Sequence, residues 1–141
     1  MEVKIKIGEG GKMPSKGTKH SAGWDLTTTG VINSNSRFIE YATENYFQIP
    51  TGYVGLVFPR SSVSKTDLIL GNCVGVIDSD FRGQVTFKFK YTKFSPHSVV
   101  YKKGNRIGQI IIMPIPSIEF KQVDELTETE RGTGGYGSTG K

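Results

Sequence analysis

Residues 85–92 read Val-Thr-Phe-Lys-Phe-Lys-Tyr-Thr, a stretch in which apolar and aromatic side chains alternate with polar ones. Successive side chains of a β-strand point to opposite faces, so this period predicts a strand with one face in the core and one in water. The turn-forming residues 78–83, Asp-Ser-Asp-Phe-Arg-Gly, come directly before it. We therefore expect these residues to form the turn of a hairpin.

Further short runs rich in β-branched and aromatic residues lie on both sides of that stretch. Only residues 61–67 have the composition of a short helix. Many short strands separated by turn signals are typical of a β-sandwich or barrel, and we predict an all-β, jelly-roll-like fold. The other expected strands are residues 2–7, 24–29, 37–41, 46–49, 53–58, 68–77, 98–102, 106–115 and 118–123.

The composition narrows the class of protein. A chain of 141 residues, 35% of them hydrophobic, is long enough to bury the core of one domain. With one cysteine and two histidines it offers neither a disulfide framework nor a zinc quartet. It contains no apolar run of membrane-spanning length and no signal-peptide pattern, so we expect an intracellular protein of the cytoplasm or nucleus with no membrane partner.

The last part of the chain differs from the rest in composition. Residues 127–130 are polar and acidic, and residues 131–141 include five glycines without apolar periodicity. Such a backbone has too much conformational freedom to be ordered without a partner. We predict a β domain over residues 1–126 and a flexible, glycine-rich C-terminal arm over residues 127–141.

The net charge of +5 suits an anionic partner, and phosphates are the natural candidates. Arg60, Ser61 and Ser62 follow an apolar strand and could donate to phosphoryl oxygens, although such residues also occur in ordinary solvated turns. Asp78 follows the apolar residues 74–77 and could orient and deprotonate a water molecule, or could simply stabilise the turn.

Five segments of the chain form a recognisable series. They read Ala-Gly-Trp-Asp-Leu (22–26), Pro-Arg-Ser-Ser-Val (59–63), Gly-Val-Ile-Asp-Ser-Asp-Phe-Arg-Gly (75–83), Arg-Ile-Gly-Gln (106–109) and Arg-Gly-Thr-Gly-Gly-Tyr-Gly-Ser-Thr (131–139). In this order they resemble all five motifs of the homotrimeric dUTPases. The resemblance implies a jelly-roll fold, a homotrimer and Mg²⁺-dependent hydrolysis of dUTP to dUMP and pyrophosphate. That reaction limits uracil incorporation into DNA and supplies dUMP for thymidylate synthesis.

The resemblance also assigns roles in the reaction. Asp78 matches the carboxylate that activates the water attacking the α-phosphorus, and Asp25 matches an aspartate that supports the site. Mg²⁺ is expected to be held mainly by the substrate phosphates, with Asp25 a candidate for contact through water. The groups that match triphosphate contacts are Arg60, Ser61, Ser62 and Gln109, with Arg106 as a structural arginine beside them.

Other positions match contacts to the base and sugar. Asn72 corresponds to the amide that reads uracil, helped by Val76, Ile77 and neighbouring backbone groups, and Phe81 stands where the family has a tyrosine that lies against the deoxyribose. The family's arm closes over a site of neighbouring subunits. In this arm Arg131, Ser138 and Thr139 match phosphate contacts, while Tyr136, next to Gly137, replaces the phenylalanine that covers uracil. Further departures are Trp24 for the usual Tyr and Gly108 for the usual Ala.

Two other functions fit part of the sequence. A dCTP deaminase shares the Arg-Ser-Ser segment, but that family carries a catalytic glutamate on the strand after the aspartate loop, and residues 84–92 contain no acid. A small β-barrel that binds nucleic acid is suggested by the basic charge and by the interleaved Lys-Phe-Lys-Tyr of residues 88–91. The alternation of those aromatics favours a buried face, so we expect that no nucleic acid is required.

Overall fold

The computed structural model describes residues 1–135, which form ten β-strands and one short 3₁₀ helix. The prediction of an all-β protein is confirmed. None of the residues in this range belongs to a helix long and apolar enough to cross a membrane. The strands are β1 (Lys4–Ile7), β2 (Trp24–Thr27), β3 (Gly30–Ser34), β4 (Phe38–Ala42), β5 (Asn45–Gln48), β6 (Tyr53–Pro59), β7 (Leu68–Leu70), β8 (Gly75–Ile77), β9 (Thr86–Tyr91) and β10 (Arg106–Pro114), and the helix is Ser61–Lys65.

The strands form two four-stranded sheets and one small sheet, and all of their pairings are antiparallel. The first large sheet has the order β2-β10-β6-β8, the second has the order β3-β4-β9-β7, and β1 pairs with β5. The buried faces of both large sheets contribute to a single core, as in a sandwich. Its members are Leu26, Ile39, Tyr41, Phe47, Ile49, Val57, Leu68, Leu70, Val85, Phe87, Phe89, Tyr101, Ile107 and Ile110.

Strand β9 has the alternation that its sequence predicts. Phe87 and Phe89 are 1% and 0% exposed, and their rings stack with centroids 6.1 Å apart. Lys88 and Lys90 lie on the opposite, solvent-facing side. These two phenylalanines therefore belong to the core and are not a surface on which nucleic-acid bases could stack.

The expected hairpin around residues 78–83 is wrong. Strand β8 pairs with β6, with Ile77 opposite Gly55, whereas β9 pairs with β4, with Thr86 opposite Ala42. Residues 78–85 thus connect two different sheets. The single strand expected over residues 68–77 is also divided into β7 and β8, because a turn at residues 71–74, in which Cys73 has φ 61°, separates them.

Two further predicted strands are absent from the described chain. In residues 98–102 the amide of Val99 donates to the Asp67 carboxylate at 2.6 Å, and the Asp67 amide donates to the Val99 carbonyl at 2.8 Å. The Asp67 side chain thus accepts a hydrogen bond that a partner strand would otherwise accept. Residues 118–123 pair with no strand among residues 1–135, and Phe120 is 91% exposed.

Strand β3 was not predicted from the sequence, whereas the short helix was. Strand β3 is mostly exposed and has no alternating pattern of apolar and polar residues; it pairs with β4 through a register shift between Val31 and Asn33. The short helix expected within residues 61–67 is present as the 3₁₀ helix. Its amide-to-carbonyl bond from Val63 to Arg60 closes the turn directly after β6.

A neighbouring core side chain, the ring of Phe87, leaves room only for glycine at position 108. It lies in β10 at a register shift in the pairing with β2, beneath the ring of Phe87. A methyl group at this position would collide with that ring and would lie 2.9 Å from the Phe58 carbonyl oxygen. The large Phe87 side chain therefore excludes the alanine that the dUTPase motif usually has here.

We predict that Gly108→Ala lowers the free energy of unfolding by about 1–3 kcal/mol, because overpacking a filled core forces side chains off their preferred rotamers. Adding Phe87→Leu should recover part of this loss by removing the ring. Equilibrium urea unfolding of the two single variants and the double variant measures the coupling. Gly135→Ala is the control, because no atom of the described residues 1–135 lies within 4 Å of a Cβ atom at this position. Strictly additive effects of the two substitutions would contradict this account.

Candidate active site

The centre of the candidate site is the carboxylate of Asp25 on β2, a residue that is 9% exposed. Its Oδ1 accepts a hydrogen bond from Arg60 Nε at 2.9 Å, and its Oδ2 accepts one from Arg106 Nη1 at 3.0 Å. The backbone of Asp25 is also fixed, since it exchanges two hydrogen bonds with Ser15. One buried carboxylate therefore holds two guanidinium groups in defined positions.

Strand pairing brings these residues together from distant parts of the chain. In the first sheet β10 lies between β2 and β6, with Gln109 opposite both Asp25 and Phe58. Arg60 leaves the end of β6 next to the start of β10, where Arg106 lies. Three of the segments singled out in the sequence thus meet at one end of one sheet.

Asp25, Arg60 and Arg106 together form a cationic cluster, also called the Asp25 cluster, that carries excess positive charge. Two guanidinium groups face one carboxylate, so one positive charge remains uncompensated. Among the described residues, Arg60 and Arg106 use only some of their N–H donors, and Arg60 also donates from Nη1 to Ser62 Oγ at 3.5 Å. The remaining donors suit a phosphate or carboxylate ligand.

Polar groups extend the cluster on two sides. Ser61 and Ser62 begin the 3₁₀ helix, Ser61 exposed and Ser62 half-buried. The Gln109 amide donates from Nε2 to the Pro59 carbonyl at 3.3 Å. A Cβ atom at Gly23 would collide with the Gln109 amide, so the glycine permits this close approach.

Asp78 lies at the other end of the sheet, in the exposed loop that follows β8. Its carbonyl accepts from the Phe81 amide at 3.2 Å, which closes a turn. Phe81 is 41% exposed, with its ring packed over Gly83. Arg82 braces the loop by donating from Nη1 to the carbonyls of Ser79 and Phe81 at 2.7 and 2.9 Å.

Asp78 and the Asp25 cluster are far apart within one chain. Asp78 follows Ile77, which is opposite Gly55, whereas Arg60 follows Pro59 at the far end of β6. At the usual rise per strand residue this spacing corresponds to about 20 Å. The structure therefore brings Asp25, Arg60, Ser62, Arg106 and Gln109 together but does not bring Asp78 to them.

The remaining predicted site residues that fall within residues 1–135 lie in three places. Asn72 is exposed in the turn before β8, beside a cavity of about 650 Å³ that Lys88 and Lys90 also line. In β8, Val76 is exposed and Ile77 is half-buried. Arg131 donates from Nε to the Gly134 carbonyl at 3.0 Å. The predicted contacts at Tyr136, Gly137, Ser138 and Thr139 lie outside the described residues.

One residue near the Asp25 cluster was missed in the sequence. Tyr101 was assigned only to a strand, but it is a core residue that is 8% exposed. Burial raises the pKa of Tyr101, and burial raises the pKa of Tyr41 beneath it to about 12. No sequence signal marks Tyr101, because its neighbourhood arises from the packing of a loop against the first turn after β6.

The described residues contain no group of three or more His, Cys, Asp or Glu side chains arranged to hold a metal ion. Asp25 is the carboxylate nearest the cationic cluster, and both of its oxygens accept hydrogen bonds from arginine. Each oxygen retains a second lone pair that can accept from a water molecule. This donor set suits a metal ion held mainly by a ligand's phosphates and reached through water.

Comparison with known proteins identifies the family. A family model described as dUTPase matches residues 9–140. Deoxyuridine 5'-triphosphate nucleotidohydrolase of Escherichia phage T5 is 37% identical over 147 residues, covering 98% of both chains, and that of Nautilia profundicola is 37% identical over 145 residues, covering 100% of both. The structure of the Staphylococcus bacteriophage 80alpha dUTPase with dUPNHPP is similar, with a TM-score of 0.82 and 29% identity over 99% of this chain and 98% of that chain. The predicted dUTPase fold is confirmed by this similarity, and the full-length matches establish that this chain belongs to the dUTPase family of deoxyuridine 5'-triphosphate nucleotidohydrolases.

Proposed function

We propose that the chain hydrolyses dUTP to dUMP and pyrophosphate by attack of an Asp78-activated water on the α-phosphorus. The observation that carries this proposal is the convergence of Asp25, Arg60 and Arg106, because it creates a fixed cationic cluster at the positions of three dUTPase motifs. In the cell the reaction would limit uracil incorporation into DNA and supply dUMP for thymidylate synthesis.

In the proposed mechanism the protein positions charges and donors around the phosphates. Asp78 accepts a proton from the attacking water, whose oxygen bonds to the α-phosphorus as the bond to the bridging oxygen breaks. The departing pyrophosphate carries away the bond's electron pair. Arg60, Ser61, Ser62 and Gln109 donate to the phosphoryl oxygens, and Arg106 keeps Asp25 and Arg60 in position.

Mg²⁺ is the cofactor we propose. The donor set around Asp25 fits an ion that the phosphates hold and that this carboxylate reaches through water. When bound, such an ion supplies neutralisation of the charge on the phosphoryl oxygens. Asp25 itself has a separate task in the protein, which is to hold Arg60 and Arg106 in fixed positions, with Arg60 the one that donates to the substrate.

We propose contacts to the base and sugar from the loops around β8. Asn72 would pair with uracil, with Val76 and Ile77 beside it. The exposed ring of Phe81 would pack against the deoxyribose and leave no room for a 2′-hydroxyl. Stacking needs only the ring, so phenylalanine can replace the tyrosine usual in the family. The arm residues Arg131, Tyr136, Gly137, Ser138 and Thr139 would close the site.

The active site would be shared between the subunits of a homotrimer. Support comes from the spacing of about 20 Å between Asp78 and Arg60 in one chain, since a neighbouring subunit would bring one of these residues to the triphosphate that the other contacts. Exposed apolar side chains after β10 also favour association of the subunits, because burying apolar surface removes it from water. They are Ile115, Ile118, Phe120, Val123 and Leu126.

For the catalytic carboxylate, we expect Asp78→Asn to lower kcat by about 10²–10⁴-fold, because an amide cannot accept the water's proton. Affinity for a non-hydrolysable dUTP analogue should stay within a few-fold of the wild type. Pyrophosphate release and calorimetric titration measure the two quantities. Asp80→Asn, in the same exposed loop, is the matched control and should keep most of the activity. Wild-type turnover in the Asp78 variant would remove this residue from its proposed role.

For sugar selectivity, Phe81→Ala should admit UTP. Removing the ring opens the space in which a 2′-hydroxyl would lie, so the ratio of kcat/KM for dUTP to that for UTP should fall. Steady-state pyrophosphate release with each nucleotide gives that ratio. Phe81→Tyr should leave it close to the wild-type value. An unchanged ratio in the alanine variant would mean that another group excludes the hydroxyl.

For the shared site, mixed subunits should restore activity. Asp78→Asn and Arg60→Ala proteins, each inactive alone, would form some wild-type sites once they exchange subunits, because those two residues of a site come from different chains. Activity is measured after joint unfolding and refolding, with native mass spectrometry to verify mixed trimers. Mixed trimers without recovered activity would show that each site belongs to one chain.

A further inference from the structure

Glu44, in the turn between β4 and β5, has a backbone conformation that favours glycine. Its φ is 56°, in the left-handed region, where an L side chain costs free energy that glycine does not. The Gly8 amide donates to the Glu44 carbonyl at 2.8 Å, which fixes the turn against the residue that follows β1. Such strain persists only where surrounding contacts hold the residue in place, and it is concentrated at functional sites.

The Glu44 carboxylate is hydrogen-bonded to two side chains. Its Oε1 accepts from Gln84 Nε2 at 2.7 Å, and its Oε2 accepts from the Tyr46 hydroxyl at 3.2 Å. Gln84 Nε2 also donates to the Tyr46 hydroxyl oxygen at 3.2 Å, so the three side chains close a ring of hydrogen bonds. All three residues are half-buried. A Cβ atom at Gly8 would collide with the carboxylate, which is therefore closely packed.

The turn at residues 43–45 holds the end of the loop 78–85, which connects the two large sheets. The Val85 amide donates to the Asn45 carbonyl at 2.9 Å, and the Val85 carbonyl accepts from the Thr43 hydroxyl at 2.6 Å. Thr43 and Asn45 are both 0% exposed, so these two bonds belong to the core. The bond between carboxylate and amide adds a second anchor one residue earlier in the loop, nearer its exposed part.

This second anchor lies next to the residues that we propose contact the substrate. Gln84 follows Gly83, and the Phe81 ring packs over Gly83. Asp78, at the start of the loop, accepts at its carbonyl from the Phe81 amide at 3.2 Å. Within residues 1–135, the only hydrogen bonds that a side chain of this loop makes to the rest of the chain are those of Gln84. The glutamate therefore acts on the loop through one residue.

We propose that Glu44 is a positioning residue for dUTP hydrolysis. By holding Gln84, its carboxylate fixes Gly83 and the ring above it, so that Phe81 packs against the deoxyribose and Asp78 lies where the attacking water binds. This inference rests on the proposed roles of Asp78 and Phe81 in the reaction. Glu44 acts through Gln84 and has no contact with the substrate in this proposal.

The first test compares Glu44→Gly with Glu44→Gln. Glycine adopts φ 56° without steric cost, so the glycine variant should fold with a melting temperature near that of the wild type. Its kcat/KM for dUTP should fall by about 3–10-fold, the effect of losing one hydrogen bond that orients the loop. Glutamine keeps an oxygen that accepts from Gln84 and an amide that donates to Tyr46, so Glu44→Gln should retain most of the activity.

The matched control is Glu9→Gly, which removes an exposed glutamate from the turn that follows β1. It takes away the same charge without touching the loop and should leave kcat/KM unchanged. Wild-type kcat/KM in Glu44→Gly would overturn the proposal. So would equal losses in Glu44→Gly and Glu44→Gln.

A double-mutant cycle with Gln84→Ala separates positioning from a general structural effect. Gln84→Ala should itself lower kcat/KM by a similar factor. The loss caused by Glu44→Gly should disappear in the Gln84→Ala background, because the glutamine is the group through which Glu44 acts. An equal loss in both backgrounds would contradict that route.

Hydrogen exchange of residues 78–85, measured by mass spectrometry on the substrate-free protein, gives a readout that does not depend on turnover. Glu44→Gly should speed exchange in this loop by about 3–10-fold and leave exchange in β9 unchanged. Wild-type exchange in the loop would show that Glu44 does not hold it.

Sugar selectivity distinguishes failure of this inference from failure of the proposed function. In Glu44→Gly the ratio of kcat/KM for dUTP to that for UTP should fall, because a displaced Phe81 ring leaves space for the 2′-hydroxyl. If Asp78→Asn and Phe81→Ala leave activity and selectivity intact, the proposed function fails, and the positioning role fails with it. Faster loop exchange in Glu44→Gly with full activity and selectivity would overturn only the positioning role.

Discussion

Strand β10 is hydrogen-bonded on both sides, to β2 and to β6, and the registers of these two pairings determine which side chains meet in the candidate site. They place Arg106 and Gln109 beside Asp25 and beside the end of β6, from which Arg60 emerges. The opposite face of the same strand delivers Ile107 and Ile110 to the core. Shifting β10 by one residue would exchange its two faces, so core packing and site geometry constrain each other.

The electrostatic design of the site follows from this arrangement. A largely buried carboxylate is unfavourable alone, and two guanidinium groups from neighbouring strands stabilise it. In turn the carboxylate holds both cations where repulsion between them would otherwise separate them. Because the cluster keeps one positive charge in excess, an anionic ligand completes it. The free N–H donors are therefore positioned before the ligand arrives, which reduces the reorganisation that binding requires.

Replacements within the dUTPase motifs have local physical reasons in this chain. The ring of Phe87 occupies the space over Gly108, which accounts for a glycine where the family usually has alanine. Trp24 is partly exposed, and the Lys16 ammonium lies 5.2 Å from its ring centroid, a cation–π contact that a tyrosine would make more weakly. In both cases a neighbouring side chain of this chain, Phe87 or Lys16, contacts the position of the replacement.

Alternation along residues 85–92 was sufficient to predict β9 and its buried face, because a period of two is a local property of the strand. The motif series was sufficient to predict the family and the candidate residues. Pairing between strands was not predictable from the chain: β8 and β9 looked like the arms of a hairpin, yet each finds its partner in a different sheet. Residues 98–102 have the composition of a strand, but the Val99 amide donates to the Asp67 carboxylate and not to a partner strand.

The same distinction holds for the site. The resemblance of the five segments to the dUTPase motifs made Asp25, Arg60, Arg106 and Gln109 candidates, because each lies within a motif; of these, only Arg60 was also singled out by the chemistry of its own turn. Only the tertiary structure revealed that one carboxylate holds both arginines, and that Asp78 lies about 20 Å from them in the direction of β6. These relations depend on distances between residues far apart in the chain, and such distances are determined by strand register and core packing, which no local pattern encodes.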